Sequence, residues 1–278
     1  MNAFTDSEHS RTTRRRVMWG RVLVLVLAIG QPVSSLAFEL WSPTELQGGE
    51  QFSPIVPPGP MFSIWGLIIT ASVFWAILQA RPSTFDSPVR DRLVAPNSLL
   101  YVGFFLWLTA AAFGQQSPLT LVVFVLIVGA NLVAWARISR GRDEIAGWKP
   151  VDRVTLYASQ GLYAGWTSMA FFVNVATVLQ GTGAPNDGAW GTTWQILVIA
   201  AAAGVAVLFL FVSRGSIWYA ATAGYALVGA TISTISGGFT ALAIALIIGL
   251  VIIATTTAVL RRSHGRSARR QRPEARRA

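Results

Sequence analysis

Hydrophobic residues in this chain fall in blocks rather than in stripes. Stretches of about 20 residues, at roughly 22–40, 60–79, 94–113, 118–137, 155–179, 193–213, 216–235 and 239–260, are apolar throughout and are separated by short polar segments. Strict alternation, the mark of a half-buried strand, is missing from them. About 20 apolar residues of helix cross a hydrocarbon core. A backbone in lipid must also satisfy its own hydrogen bonds, which favours helices. A β-barrel would show short alternating segments instead. The pattern predicts an all-α integral membrane protein of eight spans: a five-helix bundle, then three additional transmembrane helices.

The charges test this count. With the amino terminus inside and eight spans threaded, the inside segments hold Arg11, Arg14, Arg15, Arg16 and Arg21; then Arg81, Arg90 and Arg92. They go on to hold Arg137, Arg140, Arg142, Lys149 and Arg153; then Arg214; and finally eight Arg after residue 260, which accounts for all 22 Lys and Arg. The outside loops hold none. Basic residues favour the cytoplasmic side, so both termini are expected there. The net charge of +10 is then a topology signal. The tail "RRSHGRSARRQRPEARR" is suited to anionic lipid heads, and no nucleic-acid partner is expected, because the basic residues flank spans. Only 12% of the chain is charged, against about one-quarter in soluble domains. The first block, "TRRRVMWGRVLVLVLAIGQPVSSLAFE", also fits a cleavable signal peptide, with a cut after Ala37.

Loop composition sets the organisation. The loop 41–59 carries Pro57 and Pro58 near its end, and Pro60 follows where a new helix can begin. "QGTGAPNDGAW" after the fifth span is rich in turn formers and marks the main boundary. The expected parts are a basic tail at 1–21, a five-helix membrane domain at 22–180, a three-helix extension at 181–260 and a second basic tail at 261–278.

Several chemistries lack their residues. There is no cysteine, hence no disulfide and no thiolate metal site. The two histidines, His9 and His264, lie in the tails, and Lys149 lies in a loop. No ionisable residue sits in the middle of a span, where proton relays would need one. No catalytic constellation, metal site or required cofactor is expected.

The fifth span is different: "GLYAGWTSMAFFVN" is uncharged yet carries Tyr163, Trp166, Thr167 and Asn174. At ~100° per residue, Ser159, Gln160, Tyr163, Trp166, Thr167, Ala170 and Asn174 share an arc of about 120°. Gly161 and Gly165, a GxxxG pair suited to close helix approach, lie opposite with Phe172. The polar face is open to two readings: amides that join neighbouring helices, or the wall of a cavity for an amphipathic ligand. Of the 11 Trp, Trp19, Trp41, Trp75, Trp135, Trp148, Trp190, Trp194 and Trp218 sit near span ends, as interface rings do. Trp65, Trp107 and Trp166 sit deeper. Ala220 and Gly224 have small-xxx-small spacing, suited to packing or to a homodimer.

"LYAGWTSMAFFVN" resembles the fifth helix of the TspO/MBR family, the tryptophan-rich sensory or translocator proteins, through Tyr163, Trp166, Ala170 and Asn174. "PPGPMFSIWGLI" resembles the entry to that family's second helix, through Pro57, Pro58, Phe62 and Trp65, and "YVGFFLWLTAAAF" its third helix, through Trp107. The family usually has Asn before that Trp; here it is Leu106. Its Trp-Thr before the Pro-Pro pair is replaced by Ile55 and Val56. The likeness covers about residues 20–180 and implies a TspO-like five-helix bundle in the membrane of a bacterial cell, the last three spans matching longer bacterial members. It implies a receptor or sensor for a tetrapyrrole such as porphyrin or haem, or for a sterol or similar lipophilic small molecule. The alternative is a transporter of a small lipophilic solute. The ligand-binding residues it implies are Trp65, Trp107, Tyr163, Trp166, Asn174 and Phe62, to which the shared face of the fifth span adds Gln160, under a cap formed by the loop 41–59. A metal-free porphyrin is favoured, because the spans offer no axial histidine.

Overall fold

The computed structural model describes residues 2–41, 53–114 and 116–271, with side chains for 17–40, 53–114 and 116–263. Most of the capping loop and the last seven residues lie outside these residues, as do the side chains of Trp41, of both histidines and of most of the basic tail. Among the described residues nine α-helices follow in order: α1 (Asn2–Trp41), α2 (Ile64–Gln79), α3 (Pro88–Ala112), α4 (Pro118–Arg140), the short α5 (Arg142–Ala146), α6 (Pro150–Gly181), α7 (Gly188–Ser213), α8 (Ile217–Ser236) and α9 (Thr240–Gln271). No strand occurs among the described residues.

Local chemistry sets the helix starts. α3, α4 and α6 each begin on a proline, whose missing N–H costs nothing in a first turn. The hydroxyls of Ser87, Ser117 and Ser216 accept from backbone N–H groups of α3, α4 and α8. α3 and α6 start several residues before the apolar blocks do, because their first turns carry polar side chains of the inner network described below.

Among the described residues, seven helices, α8 not among them, are long and apolar enough to cross a membrane. This is the architecture of an all-α multi-span membrane protein. α8, expected as a span of equal standing, has 20 residues, about 30 Å of helix, but is less apolar. It packs between α6 and α9, so much of its surface meets protein rather than lipid. The outer surface is apolar: Leu67, Phe74, Phe105, Val122, Leu197 and Ile248 are each more than half exposed. The interior holds polar groups, with Ser72, Gln79, Asn97, Asn131, Ser159, Thr167 and Gln195 fully buried.

α6 is the central helix, in contact with α2, α4, α7 and α8. Its glycine face packs on α8: a Cβ on Gly161 would strike the Cβ of Trp218, and one on Gly165 would strike Thr222 and the Tyr219 carbonyl. Gly224 of α8 faces Leu250 of α9, so the small-residue spacing expected to suit packing or a homodimer serves packing within the chain.

The described basic residues gather at one end. Arg21 is fully buried and donates to the carbonyls of Gln79 (3.1 Å) and Thr84 (2.6 Å) and to Asp91 (2.6 Å). It thus ties α1 to the α2–α3 connection. Arg81 and Arg90 both pair with Asp152, at 2.6 and 2.7 Å. The Arg90 guanidinium lies 4.0 Å over the ring of Trp148, which stacks on Trp75.

That arrangement corrects part of the expected interface belt. Trp75, Trp135 and Trp194 are buried, whereas Trp19 and Trp190 are exposed as expected. Trp135 donates to the carbonyl of Gln160, and Trp194 to that of Pro185. Each has a protein partner for its N–H, so neither needs the lipid interface.

Candidate functional site

The end of the bundle opposite the basic cluster holds a cavity between α2, α3, α4, α6 and α8. It encloses about 610 Å³ of non-atom space, open solvent at its mouth included. Its walls are Trp65 and Phe62 from the α2 entry, Trp107 and Ala111 from α3, Thr120 and Phe124 from α4, Ala226 from α8, and the α6 stripe Trp166, Ala170, Val173, Asn174 and Thr177. Val56 and Pro57 complete it.

The aromatic rings form one connected set. Trp65 stacks on Trp107 at 5.9 Å and meets Trp166 edge-on at 6.3 Å. Phe62 meets Trp166 at 5.4 Å, and Phe124 meets Trp107 at 5.8 Å. Such offset and T-shaped pairs are the favoured geometries. Tyr225 of α8 supports Trp166 from behind, at 6.3 Å.

The entry segment is held from two sides. The Ser53 hydroxyl donates to Gln195 of α7 (2.8 Å). On α8, Gly229 leaves room for Pro57 and Met61, which a Cβ there would meet at 2.8 and 3.1 Å. The last part of the expected cap, residues 53–59, therefore rests on the C-terminal helices.

The polar atoms at the walls are few. Asn174 donates to the Ala170 carbonyl (2.9 Å) and Thr177 to that of Val173 (3.0 Å). The indole N–H groups of Trp65 and Trp166 are buried and have no partner among the described residues. No lining residue is ionisable, and no three His, Cys, Asp or Glu come together among the described residues.

The structure thus brings together five of the seven residues singled out in the sequence: Phe62, Trp65, Trp107, Trp166 and Asn174. The other two lie outside the lining. Tyr163 sits below the cavity, its ring 5.8 Å from Trp65 and its hydroxyl donating to the Leu100 carbonyl (3.1 Å). Gln160 lies deeper, 1% exposed, against Trp135. The polar face of α6 is therefore divided. Its outer half lines the cavity; its inner half joins helices, as where Asn131 donates to Thr167 (3.0 Å). Leu106, in the place where the resembled family has Asn, is 40% exposed and points away from the cavity.

Phe124, Thr120 and Ala226 line the site without having been singled out. Phe124 and Thr120 are one turn apart on α4, but the run around them is apolar on every side. Ala226 carries no signal that sequence could give.

One family model, described as TSPO-like protein, matches residues 21–259. The match extends through all three C-terminal helices, beyond the region whose motifs carry the resemblance. No curated protein and no solved structure matches the chain.

Proposed function

The chain belongs to the TSPO-like family, with a receptor- or transporter-type role in a membrane, and we propose that its aromatic cavity is a receptor site for a tetrapyrrole or a similar flat amphipathic molecule. One observation carries this reading. Trp65, Trp107 and Trp166 wall the cavity with packed rings, and the indole N–H groups of Trp65 and Trp166 are buried without a partner among the described residues. Ring faces suit a flat π-system, and spare donors suit an acceptor on its edge. A sterol with a carbonyl or hydroxyl would use the same features.

A metal-free porphyrin is preferred to haem, since no histidine lies within a described span. We place the protein in the cytoplasmic membrane of a bacterial cell, with the basic end inside and the cavity toward the outer face. Sensing or storage is favoured over transport, because Tyr163, anchored to Leu100, stands between the cavity and the inner half of the bundle.

The test is a titration of purified protein with protoporphyrin, followed through porphyrin fluorescence. Saturable one-to-one binding is expected, without ligand flux when the protein is placed in liposomes. Linear, non-saturating uptake would overturn the ligand assignment, and sustained flux would overturn the receptor reading.

A further inference from the structure

Below Tyr163, toward the basic end, three helices turn polar stripes inward. On α2, Ser72, Trp75 and Gln79 fall within about 60° of one another. On α3, Arg90, Asn97 and Tyr101 fall within about 40°, and on α6 so do Asp152, Ser159 and Tyr163. Contacts fix the stripes against each other at successive levels. Arg90 pairs with Asp152 at the bottom. The Tyr101 hydroxyl sits beside Ser72 and Ser159 in the middle, without a well-formed bond to either. The rings of Tyr101 and Tyr163 lie 6.1 Å apart at the top.

This column is buried yet unsatisfied. Gln79, Asn97 and Ser159 are fully buried, and Tyr101 is 2% exposed. Both amide atoms of Gln79 and of Asn97, the hydroxyls of Tyr101 and Ser159, the Trp75 N–H and the Arg90 Nε have no hydrogen-bond partner among the described residues. A folded interior leaves only a few such atoms per 100 residues; these eight all belong to the three stripes. Leaving them dry carries the full desolvation cost of each group. The set mixes donors and acceptors, which suits a small neutral partner with both functions. A buried water satisfies two to four such groups.

We infer that this column is a binding site for a chain of ordered water molecules, running from the Arg90–Asp152 ion pair to Tyr163 at the cavity floor. Its length, from Asp152 to Tyr163, is about 16 Å of helix. Tyr163 ends it: the Tyr163 hydroxyl is committed to the Leu100 carbonyl, with Gln31 Oε1 at 3.3 Å. Water then reaches the underside of the aromatic site from the basic end without entering it. The inference does not depend on what the cavity binds.

The test is hydroxyl-radical footprinting of the full-length protein in lipid nanodiscs, where bound water generates radicals locally. Tyr219 is the internal control. It is as deeply buried as Tyr101, but its hydroxyl is paired with Ser168 at 2.9 Å. Tyr101 should be oxidised at least fivefold faster than Tyr219, and equal protection of the two would overturn the inference. In Asn97→Leu the chain of water is interrupted, so Tyr101 labelling should fall toward that of Tyr219 and Tm should drop. A higher Tm with unchanged labelling would mean that the amide was simply dry, and would also overturn it. If Asn97→Leu does not fold, the wild-type comparison decides alone.

Discussion

Replacing Trp166 by Leu tests the proposed site at its centre. Trp166 is 2% exposed and touches Phe62, Trp65 and Tyr225 through its ring. Leu keeps α6 apolar but removes both the ring face and the spare N–H. Stacking of a flat base on an aromatic ring is worth ~1–3 kcal/mol, and each 1.4 kcal/mol is tenfold in affinity. Porphyrin binding should therefore weaken by roughly 5- to 140-fold. Trp166→Phe separates the two contributions. It keeps one aromatic ring but loses the N–H, a hydrogen bond worth ~0.5–1.5 kcal/mol net, together with part of the ring face, so the loss should be at least about 2- to 12-fold and smaller than in Trp166→Leu. Phe172→Leu is the control, since Phe172 faces a second, apolar cavity beside Val198 and Leu246; its affinity should stay within about twofold of wild type, a change worth only ~0.4 kcal/mol. Binding is read from porphyrin absorbance, because the mutations alter the Trp signal itself. Circular dichroism and Tm report whether the bundle survives the loss of three ring contacts. Wild-type affinity in a folded Trp166→Leu protein would refute the assignment and leave the stripe as helix packing alone.

Other outcomes follow from the same geometry. Gly165→Leu should prevent α6 from seating on α8 and lower Tm or yield, as seen by size-exclusion chromatography; a folded protein that has lost only ligand binding would contradict the packing role. Asp152→Asn removes the anion shared by Arg81 and Arg90 and leaves Arg90 buried without its countercharge; the loss should approach 3–5 kcal/mol and appear as a lower Tm. A reporter inserted within 181–190 should read as extracytoplasmic, and a cytoplasmic signal would refute the threading.

Block hydrophobicity and the segregation of Arg made the helices legible, and the side-chain period of α6 made half of the site legible. The rest escaped for identifiable reasons. Trp75 and Trp135 lie near helix ends, where depth alone suggests the interface. What buries them is the direction each faces, and a uniformly apolar neighbourhood hides direction. Arg21 looks like a flanking charge in sequence, but its partners are backbone carbonyls and the Asp91 carboxylate, 58 to 70 residues away. Tyr163 and Trp166 share a face at one turn's spacing, yet that turn is the step from packed interior to cavity. α8 was readable as a helix, but not as the support behind Trp166, because Tyr225 and Ala226 show no periodic contrast with their surroundings.

The latch on the entry segment bears on modularity. Ser53 is held by α7 and Pro57 by α8, while Ala226 closes the rear of the cavity. A chain shortened after α6 would still contain the motif residues, but it would have an unfastened lid and a breach open to lipid. The last three helices are therefore not a detachable annex. They help to wall the cavity and hold its entry segment, and any change in how α7 and α8 sit would alter the shape of its mouth.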